Sequence, residues 1–152
     1  MESQKLQIEQ LESRIALFHH AQKIPNPPTG WVKATRLALG MSLQQLAKKL
    51  SITKQSVRKI EIREKEGTTT LKTLKEAARA LDMELVYGFV PKDGTLENYI
   101  EKKARAMAEK IVLRASNTMK LENQENSTMR IEKAIEERTI LIQQEMPKAL
   151  WD

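Results

Sequence analysis

Residues 41–61, MSLQQLAKKLSITKQSVRKIE, constrain the fold of this chain more than any other stretch. Ser42 and Thr53 each precede a helical pattern, and a hydroxyl at such a position caps a helix by accepting a free backbone N–H. The stretch therefore predicts two short helices, LQQLAKKL and KQSVRKIEIREK, joined by the three-residue turn SIT. Leu46 lies on the inner side of the first helix, and the small side chain of Ala47 allows the two helices to cross closely.

The second of these helices has two different faces. At about 100° per residue, Val57 and Ile60 point together towards a core, whereas Gln55, Arg58 and Ile62 point away from it. Outward amide and guanidinium groups suit a recognition helix in a DNA major groove, where Arg or Lys meets guanine and Gln meets adenine. The predicted DNA-contacting residues are Ser42, Gln44, Lys48, Lys49, Thr53, Lys54, Gln55, Ser56, Arg58 and Lys59.

The positive charge of the chain is concentrated around these helices. The formal net charge is +6, and residues 31–65 hold nine Lys or Arg against two Glu, a local net of +7. The first thirty residues balance three basic against three acidic residues, and residues 91–152 balance eleven against eleven. A basic segment this localised favours a polyanionic partner, most simply nucleic acid. The balanced flanks are assigned to protein contacts.

The rest of the chain is predicted to be mainly helical. A length of 152 residues with 40% hydrophobic content allows one modest core with helical arms. A helical pattern covers 3–22, and two further helices are predicted over 95–146, broken near LENQENST. The predicted organisation is an N-terminal helix (1–23), a Pro-rich linker (24–30), a DNA-binding domain of four short helices (31–81), a short β-strand, DMELVYGFVP (82–91), and a C-terminal helical, partner-binding region (95–152).

Several classes of function lack support in the sequence. The chain has no Cys, so it has no disulfide or thiolate metal site. No apolar run approaches the ~20 residues of a membrane span, and the first residues do not resemble a signal peptide, so we expect a cytoplasmic protein without membrane contact. His19 and His20 lack metal-ligand spacing, and no glycine-rich phosphate loop or nucleophile motif is present. We therefore expect no enzymatic activity, catalytic residue, metal or cofactor.

Residues 31–81 resemble the phage-repressor, lambda-repressor-like helix-turn-helix. The pattern departs from that family at Leu43, where many members have a Gln that contacts phosphate, and at Ser51, where the turn usually has Gly. Ile62 and Arg63 stand where Asn-Gly is common. If the turn requires a positive φ, Ser51 imposes a small backbone cost. The residues that carry the resemblance are Met41, Ser42, Leu46, Ala47, Val57, Ile60 and Glu61.

A second resemblance covers nearly the whole chain. The segments GWVKATRLALGMS, GTTTLKTLKEAARALDMELVYGFVP, TMKLENQ and the terminal LWD resemble the family called mobile mystery protein A. Its members are usually encoded beside mobile mystery protein B, which contains a Fic domain, typically an AMP-transferase. The resemblance implies a DNA-binding repressor of its own operon that is also an antitoxin-like inhibitor of a Fic-domain partner.

One short motif would carry that inhibition. Fic domains are commonly silenced by a helix with the pattern Ser/Thr, three residues, Glu, then Gly or Asn, and Thr118, Glu122 and Asn123 resemble it. In the family mechanism the glutamate pairs with an arginine that would otherwise hold the γ-phosphate of ATP. The resemblance implies that role for Glu122, with Thr118 one turn earlier and Asn123 hydrogen-bonded nearby.

The sequence leaves the alternatives open. The chain is either a sequence-specific repressor, a protein-interaction antitoxin that no longer binds DNA, or a solitary phage-type regulator without a toxin partner. Repressors of this type generally bind two half-sites as dimers, so we expect a homodimer or a hetero-oligomer with the toxin. The strand predicted in MELVYGFV would pair with its copy in a second subunit or pack on the helices of its own chain.

Overall fold

The computed structural model describes residues 2–119 and 127–152, which form seven α-helices and two short 3₁₀-helices. They divide into two compact units, which are described separately. One unit is His20–Gly88, and the other combines the residues up to His19 with those from Phe89 onward. The α-helices are α1 (Glu2–Ala16), α2 (Trp31–Ala38), α3 (Leu43–Leu50), α4 (Lys54–Glu66), α5 (Leu71–Ala80), α6 (Leu96–Met119) and α7 (Ser127–Glu145), and the 3₁₀-helices are Ala21–Lys23 and Lys148–Trp151.

The His20–Gly88 unit contains the four helices α2 to α5 around one core. Leu46, Ala47, Val57 and Ala77 are fully buried there, because α3, α4 and α5 each turn an apolar face inward. Gly67 ends α4 in the left-handed region, at a φ of 78°. The four short helices and the mainly α fold predicted from the sequence are confirmed.

The second unit is built on α6 and α7, which pack along one another. Ala104 and Ala108 lie one turn apart on α6 and are fully buried, so their small side chains allow α7 to approach closely. Ile135 and Ile142 of α7 fill the facing positions. Glu12 of α1 joins this unit by accepting a 2.8 Å hydrogen bond from the backbone N–H of Leu96.

The β-strand predicted over 82–91 is not seen in this chain. In the part of the chain that the structure describes, residues 83–91 are irregular and no strand is present. A strand requires a second extended segment to pair its N–H and C=O groups, and the segment has β-forming residues but no such neighbour. Several of its apolar side chains are exposed, including Val86 at 77% and Phe89 at 91%, whereas Leu85 and Val90 are half-buried.

The N-terminal helix is shorter than its predicted range of 3–22. After Ala16 the backbone forms i→i−3 hydrogen bonds, including Phe18 N–H to Ile15 C=O at 2.8 Å, and continues into the 3₁₀-helix at Ala21–Lys23. The apolar residues of the sequence continue at helical spacing beyond the last α-helical hydrogen bond, because a 3₁₀ turn spaces its side chains similarly.

Among the described residues, no helix is long and apolar enough to cross a membrane.

Candidate nucleic-acid interface

The turn between α3 and α4 sets how the two helices meet. Ser51 adopts the left-handed conformation, with φ 56° and ψ 40°, and its N–H donates to the carbonyl of Lys48 at 3.2 Å. The N–H of Ile52 reaches back to the carbonyl of Ala47 at 3.0 Å, which ends α3 within one residue. The turn therefore requires the positive φ for which Gly is the usual residue.

Both predicted helix caps are confirmed. Ser42 forms a capping box at the start of α3, in which its Oγ accepts from the N–H of Gln45 at 3.1 Å and Gln45 Oε1 accepts from the N–H of Ser42 at 2.8 Å. Thr53 begins α4 in the same way, because its Oγ1 accepts from the N–H of Ser56 at 3.1 Å. Both hydroxyl oxygens already accept a backbone N–H, so a contact of either hydroxyl with DNA would have to form in addition to its cap.

A buried ion pair fixes α4 to α2. Arg36 donates to Glu61 through Nη2 at 2.8 Å and through Nε at 3.0 Å, and the two side chains are only 8% and 5% exposed. The third guanidinium nitrogen, Nη1, donates to the carbonyl of Met41 at 2.9 Å. A two-pronged contact of this kind restricts the rotation of α4 about its axis, so it determines which residues of α4 face outward.

A second carboxylate of α4 caps the start of α2. The N-cap of α2 is Gly30, which has no side chain, and Glu64 accepts instead from the N–H groups of Trp31 at 2.8 Å and Val32 at 2.9 Å. Gly30 has a φ of 88°, and a Cβ built there would lie 2.8 Å from Glu64 Oε1. The glycine is therefore required by both its conformation and this close approach.

All but one of the ten predicted DNA-contacting residues are exposed on this unit. Val57 and Glu61 face inward from α4, and Gln55 lies on the opposite side of the helix. No ion pair found within residues 2–119 and 127–152 involves a lysine or arginine of this set. Ser56 is half-buried, and the exposed members are Ser42, Gln44, Lys48, Lys49, Thr53, Lys54, Gln55, Arg58 and Lys59.

One groove beside α4 contains cations that sequence reasoning missed. It is lined by Lys33 from α2 and by Arg58, Ile62 and Lys65 from α4, with the Arg36–Glu61 pair also in its lining. The spacing of Arg58, Ile62 and Lys65 (i, i+4, i+7) was visible in the sequence as one helix face. Lys33 precedes Arg58 by 25 residues, so only the fold brings it to this groove.

A second groove lies along α4 as well. Lys59 and Arg63 line it together with the threonine-rich turn at residues 68–70 that leads into α5. Arg63 was also missed, because it was considered only as a departure from the usual Asn-Gly. Glu76 of α5 adds one carboxylate to this groove.

Only Thr118 of the three proposed Fic-inhibitory residues belongs to the part of the chain that the structure describes. Thr118 lies in the last turn of α6, whereas Glu122 and Asn123 lie outside the described residues.

No group of three or more His, Cys, Asp or Glu able to hold a metal is found in the part that the structure describes.

Comparison with known proteins identifies the unit that carries the grooves. The family model described as helix-turn-helix matches residues 32–87. This segment is therefore an XRE-type helix-turn-helix domain, the type found in DNA-binding regulators. No curated protein matches the chain. No solved structure matches it either.

Proposed function

We propose that this chain is a sequence-specific transcriptional repressor that binds an operator upstream of its own operon. The observation that carries this proposal is the outward face of α4, where Gln55, Arg58 and Lys59 are exposed while Val57 and the Arg36–Glu61 pair hold the inner face. The match of residues 32–87 to the helix-turn-helix family supports the same reading.

The exposed side chains divide into two kinds of DNA contact. Gln55 and Arg58 lie in the first two turns of α4, the part of a recognition helix that reaches base edges. Arg58 suits the O6 and N7 acceptors of guanine, and Gln55 suits adenine. Contacts with phosphate and with flanking positions are assigned to Ser42, Gln44, Lys48, Lys49, Thr53, Lys54, Ser56 and Lys59.

A mobility-shift titration against the upstream region of the operon tests the repressor. The wild-type protein should prefer that duplex to a random duplex of equal length, and Arg58→Ala should lose about 1–3 kcal/mol at the specific site only. Lys48→Ala should weaken binding to both duplexes similarly and flatten the salt dependence. Equal affinity for the two duplexes at moderate salt would refute sequence-specific repression.

Binding as a dimer is part of the proposal. One helix-turn-helix domain reads only a few base pairs, so two copies on half-sites one helical turn apart supply the affinity of a repressor. Light scattering of the free protein and of its complex with operator DNA measures the stoichiometry. A single copy on an operator with one half-site would refute this part.

The second part of the proposal is an antitoxin role for region 95–152. Its support is the sequence resemblance to mobile mystery protein A, which implies an adjacently encoded Fic-domain AMP-transferase as the partner. Glu122 would pair with the arginine that holds the γ-phosphate of ATP, with Thr118 and Asn123 completing the motif. The charge balance of residues 91–152, with eleven basic and eleven acidic residues, is compatible with a protein surface.

Co-expression with the neighbouring reading frame tests the antitoxin role. Glu122→Gly should leave folding and DNA binding intact and release AMP transfer by the partner, whereas the matched control Glu125→Gly should still inhibit it. A Glu122→Gly protein that forms the complex and silences the partner like wild type would refute the motif. A neighbouring reading frame that encodes no Fic domain would favour the alternative of a solitary regulator. Inhibition of the partner by a protein that shows no preference for operator DNA would favour the alternative of a protein-interaction antitoxin.

A further inference from the structure

The grooves on the two sides of α4 differ in charge. The groove that Lys33 and Lys65 line with Arg58 has one carboxylate in its lining, that of Glu61, which Arg36 already pairs. Three positive charges are thus left uncompensated by the groove itself. The groove with Lys59 and Arg63 has two cations and one carboxylate, that of Glu76. The excess of positive charge lies on the side of Lys33 and Lys65.

The helical positions place these grooves on opposite flanks of the outward face of α4, at whose centre Gln55 lies. With about 100° per residue and Arg58 as the origin, Ile62 lies near 40° and Lys65 near −20°, while Lys59 lies near 100° and Arg63 near 140°. Gln55 lies near 60°, midway between the two groups. A helix that points Gln55 at the base edges therefore turns its two flanks towards the two sugar-phosphate strands that border the major groove.

We infer that the groove lined by Lys33, Arg58 and Lys65 binds the phosphates of one DNA strand through Lys33 and Lys65, as phosphate-contacting residues additional to those proposed above, while Arg58 beside them keeps its proposed base contact. This inference rests on the proposed function, since it requires α4 to lie in the major groove. Lys65 follows Arg58 by about 10 Å along the helix axis, and Lys33 reaches the groove from α2. Neither lysine is in an ion pair with any described residue.

The salt dependence of binding measures these contacts directly. Each phosphate neutralised by Lys or Arg contributes about −0.9 to the slope of log K against log salt, or about eightfold in affinity at 0.1 M salt. The double variant Lys33→Gln/Lys65→Gln should therefore lower the magnitude of the slope by about 2 and the affinity at 0.1 M about 60-fold. Because phosphate contacts carry no sequence information, both operator and random duplexes should be affected alike.

The control has the same change in total charge. Lys110→Gln/Lys133→Gln removes two exposed lysines from α6 and α7, neither of which lines a groove beside α4. Fluorescence anisotropy with labelled duplex, from about 50 to 200 mM salt, should give the wild-type slope for this control. A slope that falls equally in the control and the Lys33/Lys65 variant would show a general charge effect and overturn the inference.

The remaining outcomes separate this inference from the proposed function. A wild-type slope in Lys33→Gln/Lys65→Gln, with operator preference retained, would overturn the inference and leave the repressor intact. Duplex binding that is absent in the wild-type protein would overturn both. In a second experiment, inorganic phosphate is titrated into the wild-type protein and the double variant without DNA. If phosphate stabilises only the wild-type protein against heat, and the DNA slopes of the two proteins are equal, the groove binds a free anion and the inference is overturned.

Discussion

Replacing Glu61 by Gln should be among the most destabilising conservative changes in the helix-turn-helix unit. The Glu61 carboxylate accepts from two nitrogens of Arg36 at 2.8 and 3.0 Å, and both side chains are buried. The amide retains one acceptor and turns an NH₂ group towards a guanidinium that has only donors. Leaving the Arg36 charge buried without its counter-ion costs about 3–5 kcal/mol, a large part of the about 5–15 kcal/mol that holds a typical domain together.

The double variant Arg36→Met/Glu61→Leu isolates the origin of that loss. Replacing both partners removes the buried charge, so most of the stability should return. The carbonyl of Met41 then loses its 2.9 Å bond from Arg36, and an unpaired carbonyl costs about 1–3 kcal/mol. We therefore expect the double variant to lie between Glu61→Gln and wild type.

Urea denaturation followed by tryptophan fluorescence provides the assay. The chain has two tryptophans, Trp31 and Trp151, so a Trp151→Phe background makes Trp31 a reporter of the helix-turn-helix unit. The matched control is Glu66→Gln, the same chemical change at an exposed position of α4 in the same unit, which should change the stability by about 0.5 kcal/mol or less. A Glu61→Gln loss no larger than that of the control, or a double variant less stable than Glu61→Gln, would refute the reasoning.

Three further changes test the local geometry with the same titration. Ser51→Gly should stabilise the unit by about 0.5–1 kcal/mol, because the residue already has a φ of 56°; an unchanged or lower denaturation midpoint would contradict this. Gly30→Ala should cost about 1–3 kcal/mol, because a Cβ would lie 2.8 Å from Glu64 Oε1 at a φ of 88°. The control Gly40→Ala should cost less, because Gly40 has a φ of 66° and open space around it. Equal losses of stability in the two variants would argue against the Glu64 contact. Thr53→Ala should cost about 1 kcal/mol through its lost cap and Thr53→Asp almost nothing, and equal denaturation midpoints of the two variants would count against the cap.

The parts of the interface that the sequence predicted are those determined by short-range rules. Ser42 and Thr53 were identifiable as caps because each hydroxyl bonds to a backbone N–H only three residues away. The inward direction of Val57 and the outward direction of Gln55 followed from the helical period alone. The left-handed turn at Ser51 was foreseen only as a condition, because the helix-turn-helix family that the segment resembles usually has Gly at this position.

The parts that sequence reasoning missed depend on distant contacts. Glu64 caps a helix that begins 33 residues earlier, and no local pattern relates it to Trp31. Lys33 lines the same groove as Arg58 because α2 packs on α4, where the Arg36–Glu61 pair and Glu64 connect the two helices. The strand predicted at 82–91 is not seen, because local β propensity was its only support and the described residues contain no strand with which it could pair.

The two faces of α4 separate stability from recognition. Val57, Glu61 and Glu64 connect the inner face of α4 to the rest of the unit, whereas Gln55 and Arg58 are exposed. Changes to the inner face should therefore alter the folded fraction and leave the salt slope of the folded molecules unchanged. Changes to the outer face should alter affinity or slope at constant stability, because distant, unconnected sites contribute nearly independently. A variant of Arg58 that lowered both would place this residue in the core network, and the division of α4 into two faces would then be wrong.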